Sequence, residues 1–229
     1  VQALVLLESF HYLHGVFLVI LVLKEYENGV QCFEKVLQKD IDDSNSYFNL
    51  GICYLKQGDL INAMMNFQST LDINDQDLYA HFYLGNILKE MGDTESAIEQ
   101  FKKVLEISPD YSWAYYNLAV IDFEKGFYEE AVYKLEQSLK YNPKDLEAYI
   151  NYIKIMAKQG QYEGAREVAE RALNEFPNNG DLYYFEAQID KKLGNLDDCR
   201  KELNLAMQYA DSLCIPQKQI LDELEEISE

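Results

Sequence analysis

The chain is short of the residues that punctuate, cross-link or coordinate: its 229 residues include four prolines, four cysteines, three histidines and one tryptophan. So little proline argues against a proline-rich linker or a collagen-like repeat and leaves room for uninterrupted helices. Cys32, Cys53, Cys199 and Cys214 stand far apart, without the close pairs that zinc sites and redox motifs require. They read as small reduced apolar residues, which favours a reducing compartment and a cytoplasmic protein. His11 and His14 share a helix face, yet no cysteine or third histidine nearby completes a metal site. No metal or cofactor is expected. Phosphate-binding glycine loops, dinucleotide fingerprints, paired-histidine zinc motifs and nucleophile elbows are all missing, and no carboxylate pair stands out by spacing.

Basic residues are the second shortage. Twenty Lys and Arg face forty Asp and Glu, for a formal charge of −20 and a pI near 4.4. With no basic cluster to reverse that field a phosphate backbone is repelled, so nucleic acid is not an expected partner. Long hydrophobic runs are missing too. VFLVILVL, residues 16–23, is well short of the about 20 apolar residues that cross a bilayer, and His14, His11, Ser9 and Glu8 precede it. It reads as a buried helix, and membrane insertion is not expected. The chain starts at Val1 rather than Met, so this segment leaves an anchored or exported protein open.

What is abundant is apolar and aromatic: 48% of the residues are hydrophobic and 13% aromatic, 18 of them tyrosine, a composition that folds. It is also periodic. Gly58, Gly92, Gly126, Gly160 and Gly194 recur every 34 residues; Pro109, Pro143 and Pro177 keep the same period, as do Ala63, Ala97, Ala131 and Ala165. Glycine closes a helix in the left-handed conformation at little steric cost, so the five glycines predict the ends of five first helices. The prolines predict the ends of second helices, because they lack an N–H and restrict the residue before them. Small residues in mid-helix, Gly51, Gly85, Ala119 and Ala187 in first helices and the periodic alanines in second ones, predict close approach of two axes in a helical hairpin.

A helix pair of this length resembles the tetratricopeptide repeat. Its pattern of aromatic, leucine, small residue and tyrosine appears as Tyr47, Leu50, Gly51 and Tyr54, followed by Ala63 and Phe67. Leu84, Gly85, Ala97 and Phe101 repeat it, then Leu118, Ala119, Ala131 and Leu135. Departures come later: Ile153 replaces the small residue, Glu186 the leucine and Cys199 the alanine, while Asp122 and Asp190 stand where the pattern has an aromatic. The resemblance implies an all-α, right-handed superhelical solenoid of antiparallel helix pairs. Five units are expected at 44–77, 78–111, 112–145, 146–179 and 180–213. A degenerate repeat with an apolar helix precedes them at 1–43, and a capping helix follows at 214–229 with Ile220, Leu221, Leu224 and Ile227 as its apolar stripe.

In this family the first helices line the concave surface, which implies a groove for a partner. Residues on one helical face nominate Asn49, Tyr79, Phe82, Asn86, Trp113, Tyr116, Asn117 and Asn151 as its lining. An asparagine amide both donates and accepts, so it can hold a peptide backbone whatever the side chains; Asn49, Asn117 and Asn151 share one repeat position, similar to the asparagine ladder of peptide-binding members. Tyr83 interrupts that ladder. Members that clamp chaperone carboxylates ring two asparagines with cations. Asn86 and Asn117 match those asparagines in spacing, but Phe82, Glu147 and Asn151 take the cation positions, which implies a neutral or basic peptide instead.

The expected function is therefore a non-catalytic protein–protein interaction scaffold or adaptor. The competing reading is the repeat region of a larger enzyme or membrane-anchored assembly factor whose effector part is missing from this chain. Self-association through the apolar N-terminal segment is a third expectation.

Overall fold

A computed structural model describes residues 25–227. The N-terminal apolar segment, His11 and His14, and the part of the expected degenerate repeat before residue 25 lie outside the described residues. Twelve α-helices and no strands occur among the residues described, and the fold is all-α. Two compact units divide between Pro109 and Asp110. The first contains α1 (Tyr26–Leu37), α2 (Ser44–Gln57), α3 (Leu60–Ile73), α4 (Leu78–Glu90) and α5 (Thr94–Ile107). In the second, α6 (Ser112–Lys125), α7 (Tyr128–Tyr141), α8 (Leu146–Lys158), α9 (Tyr162–Glu175), α10 (Gly180–Leu193) and α11 (Leu196–Gln208) are followed by α12 (Gln217–Glu226).

Each helix packs on the next in sequence within its unit, the pattern of stacked antiparallel hairpins. Helix ends follow the expected chemistry. Gly58, Gly92, Gly126, Gly160 and Gly194 all have φ between 74° and 85°, the left-handed region that terminates a helix. Second helices stop at Ser108, Asn142 and Phe176, each directly before a proline. Helix starts carry a second periodic signal that the glycines overshadow. Asp43, Asp77 and Asp145 and then Asn179 cap first helices through their side chains, while Asp59 and Asp93 cap second ones. Each accepts a hydrogen bond from the backbone N–H three residues on, satisfying a donor that the helix leaves unpaired.

The core repeats with the same period. Phe33, Phe67, Phe101, Leu135, Ala169 and Leu203 succeed one another at that spacing and are fully buried, as are Ala63, Ala97, Ala131, Ala165 and Cys199. The position of Leu50, Leu84 and Leu118 is taken in α10 by Glu186, which is also buried. Asp122 and Asp190, the aromatic replacements, are accommodated by ion pairs with Lys134 and Arg166 respectively. His81, also at an aromatic position, is buried between the Gln100 side chain and the Asp75 carbonyl, at 2.7 and 3.1 Å. On α12, Ile220 is fully buried and Leu224 and Ile227 pack beside it, whereas Leu221 is exposed. The apolar stripe is thus narrower than its spacing implies. The cysteines are free thiols; Cys32, Cys53 and Cys199 are buried in helices, and Cys214 is exposed in the bend before α12.

Candidate partner-binding surface

In the second unit the first helices meet along one side, α6 against α8 and α8 against α10. Trp113 and Tyr116 are one turn apart on α6, so their rings meet edge to face with centroids 6.1 Å apart, and Trp113 remains 44% exposed. The Tyr116 hydroxyl donates to the exposed Glu147 carboxylate at 3.1 Å and accepts from the Asn151 amide at 3.0 Å. Burial and that carboxylate together push the tyrosine pKa up to about 12, so the phenol stays protonated and keeps donating. Trp113, Tyr116 and Asn151 are therefore brought together, with Glu147 as a fourth member. The sequence places Glu147 at a groove position without nominating it for binding; it precedes Asn151 by one helical turn on the same face.

Asn117 behaves differently from its register mate Asn151. It is 6% exposed, and its amide donates to the Trp113 carbonyl at 2.9 Å within its own helix. Further along, the Lys154 ammonium stands 5.6 Å from the Phe185 ring centroid, a cation over an aromatic face supplied by the chain itself.

The first unit holds the other four nominated residues. Tyr79 is 57% exposed at the start of α4. Phe82 is half-buried and lies against Tyr83 and Phe101, with centroids 5.9 and 6.1 Å away. Asn49 and Asn86 are half-buried, and neither makes a side-chain hydrogen bond among the described residues. The interruption of the ladder at Tyr83 has a packing cause: its ring stacks on Phe67 at 5.3 Å and 9° and also meets Phe48. A large ring serves the core there better than an amide does.

Two carboxyls with displaced pKa values lie in the fifth repeat. Glu186 of α10 and Glu202 of α11 are pushed up to about 7 and about 8, chiefly by burial and then by neighbouring carboxylates. Among the described residues no group of three or more histidines, cysteines or carboxylates could hold a metal ion, and no helix is long and apolar enough to cross a membrane.

Sequence models of the tetratricopeptide repeat match residues 32–64, 122–173 and 156–212, and a further TPR repeat model matches 85–126. The chain belongs to the tetratricopeptide repeat family. Solved structures with this fold agree. The C-terminal part of a TPR repeat-containing protein from Cytophaga hutchinsonii superposes with a TM-score of 0.76 at 16% identity, covering 89% of this chain and 80% of that one. A tetratricopeptide repeat protein from Parabacteroides merdae matches over 100% of both chains, with a TM-score of 0.68 and 15% identity. YrrB, described as a TPR protein with an unusual peptide-binding site, matches at 0.64 and 18% identity over 79% of this chain and 93% of its own. No curated protein matches the sequence.

Proposed function

We propose that this TPR chain is a non-catalytic interaction scaffold that holds a neutral-to-basic peptide segment of a partner protein against the first helices of its repeats. The observation that carries the reading is the grouping of Trp113, Tyr116, Glu147 and Asn151 on α6 and α8. An exposed indole offers a π face to a cation, Glu147 offers the counter-charge, and the Asn151 amide carbonyl offers an acceptor for a backbone N–H. Tyr116 joins all three through its ring and hydroxyl. The array is thereby held in place before a ligand arrives, which lowers the ordering cost of binding. The acidic excess of the chain steers basic segments towards it. YrrB, a relative in fold, is described by its peptide-binding site, which supports the same class of activity here. Asn117 completes the proposed lining of the second unit by fixing the α6 backbone beside Trp113 rather than by offering its amide donor, and Asn49, Tyr79, Phe82 and Asn86 form the proposed lining of the first unit. Buried free thiols support work in a reducing compartment such as the cytoplasm.

Trp113 is the single tryptophan of the chain, so its fluorescence reports on this surface alone. Titration with a capped peptide of alternating arginine and serine is expected to shift that emission, with Glu147→Gln weakening the response about tenfold, the scale of one lost charge-assisted contact. A glutamate and serine peptide is expected to leave it unchanged. An emission indifferent to the basic peptide, or a Glu147→Gln response equal to that of the parent chain, removes the proposed site.

A further inference from the structure

The second helices should be equivalent, since each repeats the last at fixed spacing, yet α3 is not like the others. Helices α5, α7, α9 and α11 each carry five or six charged side chains, whereas α3 carries one, Asp72. The difference falls on the outward positions. Ile61 and Met65 are 61% and 58% exposed. One and more repeats further on, the place of Ile61 is taken by Glu95, Glu129, Glu163 and Asp197, and that of Met65 by Glu99, Tyr133, Glu167 and Lys201. Four of four repeats thus put charge where α3 puts isoleucine. A helix that merely faces water has no reason to depart from that pattern, and exposed apolar side chains grouped on one face mark contact surfaces.

Beside this face lies an open cleft of about 490 Å³ between α3 and α5, floored by Leu84 and Leu88 of α4 and walled by Met64, Met65, Glu99 and Gln100. Its volume is in the range of ligand and side-chain pockets. Methionine walls are flexible and polarisable, so they adapt to apolar side chains of varied shape. Three of the polar side chains along its walls are already engaged: Gln100 pairs with His81 at 2.7 Å, Gln68 donates to Asp72 at 2.9 Å and Ser69 donates to the Met65 carbonyl at 3.1 Å. Charge selects the occupant. Glu99 borders the cleft, Asp72 ends α3, α3 has no basic residue, and neither lysine of α5 lines the cleft, Lys103 being paired with Glu106 at 2.7 Å. A second copy of a chain carrying −20 meets like-charge repulsion, whereas a basic partner adds charge attraction at the rim to apolar contact at the floor.

We propose that the outer face of α3, with the cleft beside it, is a second docking surface that receives the apolar stripe of a basic amphipathic helix from a partner protein. Ile61 and Met65 form the ridge on which the stripe lies, the cleft takes an anchoring apolar side chain, and Glu99 and Asp72 meet the flanking cations. This surface is separate from the first-helix faces and does not depend on them.

The test sets apolar contact against simple charge attraction. A fluorescein-labelled amphipathic helical peptide of leucine and lysine is titrated into the full chain and followed by anisotropy, alongside its leucine and glutamate counterpart. Only the basic peptide is expected to bind. Ile61→Glu with Met65→Glu installs the acidic side chains of the following repeat and adds two negative charges, yet is expected to weaken binding at least tenfold. Tyr133→Glu, the matching change on α7, is expected to leave it unaltered. Circular dichroism of each variant confirms that these exposed positions do not unfold the chain. The proposal is overturned if the double variant binds as tightly as the parent or more tightly, if neither peptide binds, or if sedimentation reveals a dimer of the parent that the double variant abolishes.

Discussion

A Cβ on Gly51 would stand 2.8 Å from Cε1 of Phe67, closer than real side chains come, and Gly85 faces Phe101 in the same way at 2.9 Å. The relationship runs through the repeats as a size exchange. Ala119 stands opposite Leu135 in register, Ile153 opposite Ala169 and Ala187 opposite Leu203, all buried. Where the first helix gains bulk the second loses it, so the axes keep their separation. Ile153, a departure from the family pattern by itself, is the compensated partner of Ala169 in one core cluster.

Gly51→Ala is accordingly expected to destabilise the chain by about 1–3 kcal/mol through overpacking, because Phe67 is itself held by stacking on Tyr83. Gly51→Ala with Phe67→Leu recreates the Ala119 and Leu135 pair, and most of the loss is expected to return. Urea unfolding of the single and double variants measures both, and a double variant weaker than the single one contradicts the exchange.

The carboxyl cluster in the fifth repeat predicts how stability varies with pH. Asp190 Oδ2 and Glu202 Oε2 are buried with no hydrogen-bond donor among the described residues, and burial together with the neighbouring Asp190 carboxyl makes the charged form of Glu202 costly. Arg166 pairs with Asp190 at 3.3 Å, while Glu186, Glu170 and Asp198 add negative charge around it. The folded pKa values, about 7 for Glu186 and about 8 for Glu202, lie above the ordinary value near 4.3 of an unfolded glutamate. The folded state therefore binds more protons than the unfolded one across this interval. Its contribution is complete below about pH 4.3 and is lost as the pH rises through 7 and 8. The melting temperature of α10 and α11 is expected to fall from pH 6 to pH 9. Glu202→Gln, which donates an N–H without a proton to lose, is expected to flatten that decline, as thermal melts of both chains would record.

Asp77 caps α4 by accepting from the Ala80 N–H at 2.9 Å. Asp77→Ala is expected to cost about 1 kcal/mol, and Asp77→Asn to recover most of it because an amide oxygen also accepts. Denaturant midpoints distinguish the three chains.

Ile220 is the fully buried anchor of α12, and Glu223 adds hydrogen bonds from Tyr184 at 2.9 Å and Gln188 at 2.6 Å. Ile220→Ala is expected to lower stability by about 2–5 kcal/mol. Hydrogen exchange is expected to accelerate first at 217–226 and then in α11, since a terminal helix shields the repeat before it. Uniform acceleration along the chain would mean that α12 is no cap.

By itself the sequence determined the helix pairs, their stops at the periodic glycines and prolines, and the close approach at Gly51 and Gly85. These depend on backbone conformations and sizes that recur locally, and repetition at one period makes them legible. It also carried the nomination of Trp113, Tyr116 and Asn151 as neighbours on aligned faces. Only the tertiary structure decided that Asn117 turns inward to its own helix while Asn151 reaches Tyr116, although both hold the same register position. It alone set Glu186, Asp190 and Glu202 together, and opened the cleft beside Met65. The reason is that a helix period specifies which residues share a face, whereas burial and partners depend on how neighbouring helices, thirty or more residues apart, pack against that face.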